Sequence, residues 1–129
     1  MKFVFIMQHP ITPEQRVAAS TGGNEVVELT KEAKSLLNVP DDPSLGREWF
    51  SNRADAILAS VGGVGSGDTA HIMGQAQLAS ATQAAARKAG ATLVESVTPR
   101  TSVEKTLPDG KVEKTNIFSF AGFRTVHEY

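Results

Sequence analysis

The chain has 129 residues, enough for one domain with a buried core. Its composition, 40% hydrophobic and 21% charged with a formal net charge of −1, is that of an ordinary globular protein and argues against broad electrostatic binding to long nucleic acid. The absence of cysteine excludes disulfides and thiolate chemistry. The apolar run from Met1 to Met7 is too short for a signal peptide or a spanning helix, so a cytoplasmic protein with no membrane partner is expected.

Lys2 to Gln8 is a continuous apolar run rich in Phe, Val and Ile, the pattern of a central strand covered on both faces. Pro10 stops it. Thr12-Pro13-Glu14-Gln15 then predicts a helix start, with Thr12 as cap, Pro13 at the first helical position and Gln15 three residues after the cap. That helix should stop near Gly22-Gly23. Glu25 to Leu29 reads as a second strand, and Thr30 to Val39 as a helical piece that ends before Pro40. Asp41 to Gly46 is turn-prone. Arg47 to Val61 carries Phe50, Ala54, Ile57, Leu58 and Val61 at helical spacing.

After a glycine-rich connector, Gly62 to Gly67, comes the stretch around which the rest is organised. Asp68 to Met73 has strand length and character. Gly74 allows a sharp turn. Ala76 to Ala89 is alanine-rich helix, and Gly90 sits at its C-cap. Ala91 to Val97 predicts the next strand. Ser102 to Leu107 and Lys111 to Phe120 flank Pro108-Asp109-Gly110, a hairpin turn.

Alternation of strands and helices implies an α/β, Rossmann-like fold with a mainly parallel sheet. The simplest strand order is 2-1-3-4, with the final hairpin antiparallel at the edge. The chain then reverses direction between the strand at Lys2–Gln8 and the strand at Thr69–Met73. Ligands in such sheets sit at the carboxyl ends of the strands beside the reversal. Two segments meet there, Gln8-His9-Pro10-Ile11-Thr12 and Gly74-Gln75-Ala76-Gln77. The second opens a helix, whose free N–H groups and dipole suit an anion.

The candidate site residues follow from that placement. His9 ends a strand at the reversal. Gln8 and Thr12 flank it. Gly74, Gln75, Gln77 and Ser80 lie in or near the first turn of the following helix. Arg100, after the next strand, can clamp a phosphate, with Thr101 and Lys105 beyond it as further ligand contacts. Alternating Lys and Glu along the hairpin also has the look of edge protection. His71, inside a strand, reads as a packed, hydrogen-bonded core residue, and His127 as solvated. No two histidines have metal-ligand spacing on one element, so no metal or other cofactor is expected. The connector Gly62–Gly67 lacks the glycine spacing of a dinucleotide loop and any following Lys-Ser or Lys-Thr. No Gly-x-Ser-x-Gly elbow or His-Glu-x-x-His appears.

Gln8-His9-Pro10-Ile11-Thr12-Pro13-Glu14-Gln15, Leu36-Leu37-Asn38-Val39-Pro40, Gly67-Asp68, the position of Arg100, and the hairpin Val103 to Thr115 followed by Phe118 and Phe123-Arg124 form a set of segments that runs most of the length. That set resembles the small CARF-like ring nucleases associated with type III CRISPR systems. The resemblance implies a homodimer that binds a cyclic oligoadenylate second messenger, the tetra-adenylate in the first instance, and cleaves it to linear products. The ribose 2′-hydroxyl would attack the adjacent phosphorus in line, with no metal. His9 would be general acid or base, and Arg100 and the helix-start amides would stabilise the phosphorane. Two other readings stay open on the sequence: a nucleotide sensor that does not cleave, and a partner-binding module whose hairpin pairs with another chain.

Overall fold

In the computed structural model, which describes residues 1–129, the central strand is β1 (Lys2–Ile6). Phe3, Val4, Phe5 and Ile6 are all buried, as a strand covered on both faces requires. Helix α1 (Pro13–Ser20) starts as its residues dictate. Thr12 Oγ1 accepts from the Gln15 amide at 3.2 Å, and Gln15 Oε1 accepts from the Thr12 amide at 3.0 Å. Strand β2 (Glu25–Glu28) follows, then a 3-10 turn (Ala33–Leu37), helix α2 (Arg47–Ser60), strand β3 (Thr69–Ile72), helix α3 (Ala76–Lys88) and strand β4 (Thr92–Val97).

The sheet order is β2-β1-β3-β4, all parallel, closed on the β4 side by an antiparallel strand β7 (Gly122–Thr125). The expected fold class and the order 2-1-3-4 are what the structure has. Two hydrophobic layers cover it. Val4, Ile6, Ala70, Ile72 and Leu93 pack with Phe50, Ile57 and Leu58 of α2 and Leu78 and Ala86 of α3. On the other face Phe3, Phe5 and Met7 pack with Ala19 of α1 and with Phe123 of β7.

Glycine is required at two turns. Gly74, between β3 and α3, has φ +154°, and Gly90, after α3, has φ +101°. A Cβ on Gly90 would also stand 3.2 Å from the Ser66 amide nitrogen, so the glycine connector and the helix end are seated against each other.

Two expectations need correction. The segment before Pro40 makes only the short 3-10 turn, not a longer helical piece. The hairpin, β5 (Arg100–Thr106) and β6 (Val112–Phe118), does not join the sheet edge. It forms its own two-stranded ribbon, and the edge position belongs to β7. The reason is competition for the β4 edge. Val97 and Glu95 pair with Gly122 and Arg124, and Phe123 adds its ring to Phe3, whereas the ribbon has no apolar face of comparable size to bury. Every ribbon strand residue is exposed. No helix is long and apolar enough to cross a membrane.

A ribbon without packing contacts contributes little to the stability of the sheet. Replacing residues 101–117 by a short Gly-Ser turn is expected to change the unfolding free energy by no more than about 1 kcal/mol, read by urea denaturation. A loss several times larger would show that the ribbon is part of the core.

Candidate functional site at the carboxyl edge of the sheet

Ile6 and Ile72 are register partners, and the Met73 amide donates to the Ile6 carbonyl at 2.9 Å. The two chain turns therefore leave neighbouring strands at the same edge. From β1 the chain passes to α1 on one face; from β3 it passes to α3 on the other. The divergence opens a cleft of about 460 Å³ at the carboxyl ends of β1, β3 and β4, within the size range of small-molecule sites.

The cleft is lined by Met7, His9 and Thr12 after β1, by Gln15 on α1, by His71 and Met73 of the β3 segment, and by Glu95, Ser96 and Thr98 along and after β4. His9 is exposed to solvent, whereas His71 is fully buried. The His71 ring packs against Phe5 at 5.2 Å and Phe123 at 5.9 Å between centroids. Its Nε2 shares a 2.7 Å hydrogen bond with Ser96 Oγ, which also accepts from Gln15 Nε2 at 3.0 Å. His71 Nδ1 is buried without a partner. Burial lowers the His71 pKa below its ordinary 6.5, against opposing pulls from the residue's own backbone and, more weakly, from nearby Glu95. Glu95 is in turn paired with Arg124 at 3.3 Å.

The turn after Met73 adds donors. Gln75 caps α3, its Oε1 accepting from the Leu78 amide at 2.9 Å. The amides of Gly74, Gln75, Ala76 and Gln77 donate to no group within the protein. At the start of α1 the situation differs. Its cap uses the Gln15 amide and Pro13 has no N–H, so few donors remain there.

Of the residues singled out from sequence, the cleft gathers His9 and Thr12. Gln8 turns away, donating to the Lys34 carbonyl at 2.9 Å. Gly74 and Gln75 form the adjoining turn. Gln77 and Ser80 line a separate groove between α2 and α3, with Arg47, Phe50, Asp55 and Lys88. Arg100, Thr101 and Lys105 stand exposed on the ribbon, and none of them lines the cleft. The ribbon nonetheless springs from the same edge, since Thr98, a cleft residue, precedes Arg100 by two positions, and Phe118 and Phe120 flank a smaller hollow beside Thr12 and Gln15. Gln15, Glu95, Ser96 and Thr98 were not singled out as site residues, and His71 was expected only in the core. The available signal was position: each strand-borne member of this set lies in the carboxyl half of its strand. No cluster of three or more His, Asp or Glu side chains is placed to hold a metal ion.

Residues 1–124 match the family described as "Uncharacterized protein MJ1673 family". The chain belongs to that family. No curated protein and no solved structure matches it.

The buried imidazole makes stability depend on pH. The unfolded chain takes up the His71 proton more readily than the folded one, so this contribution is complete above about pH 6.5 and is lost as pH falls toward the depressed folded value. Unfolding free energy should therefore decline as pH falls below about 6.5, and that slope should flatten in His71→Gln. Equal slopes in the two proteins, measured by urea denaturation, would contradict it.

Proposed function

We propose that the protein is a ring nuclease that binds a cyclic oligoadenylate, cyclic tetra-adenylate in the first instance, at the carboxyl-edge cleft and cleaves it without a metal, ending type III CRISPR signalling. The observation that carries the reading is the pairing of an exposed histidine, His9, with a run of unsatisfied backbone donors, Gly74 to Gln77, on adjacent strand ends at the chain reversal. The donors suit phosphate oxygens, and the imidazole can move a proton at neutral pH. The resemblance of the Gln8–Gln15 segment and the hairpin to small CARF-like ring nucleases supports the same choice of ligand.

The size of the cleft bears on the partner. A volume of about 460 Å³ suits a nucleotide or slightly more, not a ring of four. A homodimer would set two clefts around a two-fold axis, and a cyclic ligand with rotational symmetry would then meet the same groups twice. In the chemistry, the 2′-oxygen attacks phosphorus, the bond from phosphorus to the 5′-oxygen breaks, and the products carry a 2′,3′-cyclic phosphate and a 5′-hydroxyl. The protein holds the three atoms in line, and the amides after Met73 take up phosphorane charge. Arg100, on the ribbon rising from the same edge, supplies the cation that the cleft lining lacks.

That lack favours a second reading. The cleft is lined by no Lys or Arg and includes the carboxylate of Glu95, so no side chain of the lining neutralises the charge that develops on a phosphorane. A sensor that binds without turnover would return the ligand intact.

Incubation with cyclic tetra-adenylate in the presence of a chelator, with products resolved by chromatography, separates the readings. Linear products are expected from the wild type, and His9→Ala should be slower by about 10²- to 10⁴-fold. Intact ligand with measurable calorimetric binding would favour the sensor. No binding of any cyclic oligoadenylate would end both.

A further inference from the structure

Ser96 is held in a particular way. Gln15 accepts the Thr12 amide through Oε1, so its amide nitrogen is the end that faces Ser96 and must donate. With one lone pair of Ser96 Oγ so occupied, the short contact to His71 Nε2 has two forms. Either the serine hydroxyl donates to a bare Nε2, or a protonated Nε2 donates to the serine. Passing from the first to the second takes the serine proton to Nε2 while Ser96 Oγ takes up another proton, which is a proton relay. A purely structural buried histidine has both ring nitrogens satisfied as a rule. Here the nitrogen facing the cleft-lining serine is bonded, and Nδ1, on the far side of the ring, has no partner.

We propose that Ser96, backed by His71, is the group that accepts the 2′-hydroxyl proton in the cleft, leaving His9 to protonate the departing 5′-oxygen. The assignment rests on the ring-nuclease reading. As the 2′-oxygen bonds to phosphorus, its proton passes to Ser96 Oγ while the serine proton passes to His71 Nε2. The bond from phosphorus to the 5′-oxygen breaks, and that oxygen takes a proton from His9. His71 ends the step charged and His9 neutral, and solvent restores both. Ser96 touches substrate; His71 acts through it. Burial keeps the His71 ring neutral and ready to accept, and Glu95, beside it on β4, favours the charged form once the proton has moved. The other charged or titratable groups around the pair are Arg124 of β7, already paired with Glu95, and His9 across the cleft. The carboxylate that is out of place for phosphate binding thus has a use.

The test compares Ser96→Ala and Ser96→Thr with the wild type across pH. Ser96→Ala should lower kcat by on the order of 10²-fold with KM little changed, and should lose the acid limb of the pH–rate profile that follows His71. Ser96→Thr, which keeps a hydroxyl, should retain both turnover and limb. Should Ser96→Ala fail to fold, Ser96→Val against Ser96→Thr makes the same comparison with matched side-chain shape. Wild-type kcat and an unchanged limb in Ser96→Ala or Ser96→Val would overturn the proton route and leave the nuclease reading standing. Intact cyclic tetra-adenylate with the wild-type protein would overturn both.

Discussion

The parallel pairing of β1 with β3 is the constraint on which the rest depends. Parallel strands place their carboxyl ends at one edge, and each must be followed by a crossover. Because β2 and β3 lie on opposite sides of β1, the chain leaves β1 toward one face and β3 toward the other. The space between those departures cannot be filled by either helix. The hydrogen bond from the Met73 amide to the Ile6 carbonyl fixes how closely the two turns approach. The cleft is therefore a consequence of topology, and its chemistry is whatever the last residues of each strand supply.

Those residues divide along the sheet faces. His71 and Ser96 point to the α1 side, where Phe3, Phe5 and Phe123 make a small aromatic layer. The capping box that starts α1 also orients Gln15 toward Ser96, so one side chain both begins a helix and completes the polar set in the cleft. On the other side, α3 begins with unsatisfied amides because its cap engages only the Leu78 amide. The carboxyl edge thus carries a histidine–serine hydrogen bond on one face and a set of free backbone donors on the other.

The sequence showed most of the fold because local chemistry and global order agree in it. The run Phe3 to Ile6, the Thr12–Gln15 cap, the alanine-rich helix and Pro108-Asp109-Gly110 each specify one local conformation. The edge strand was not legible. Gly122 to Thr125 is too short for periodicity, and it becomes a strand only through pairing with β4. The cleft lining was legible at His9 and Thr12, where sequence position coincides with topology. Other side chains have a nearer use. Gln8 reaches the Lys34 carbonyl, Gln75 caps its own helix, and Gln77 and Ser80 face α2. Ser96 and His71 were hidden for the opposite reason. They lie 25 residues apart, and only the register of adjacent strands brings them together.

The claim that the cleft at the chain reversal is the ligand site is tested most directly by amide chemical shifts during titration with cyclic tetra-adenylate. The account predicts that His9, Thr12, Ser96 and the run Gly74 to Gln77 move together, with a common saturation point. Shifts confined to the groove between α2 and α3, at Arg47, Ser80 and Lys88, would contradict it.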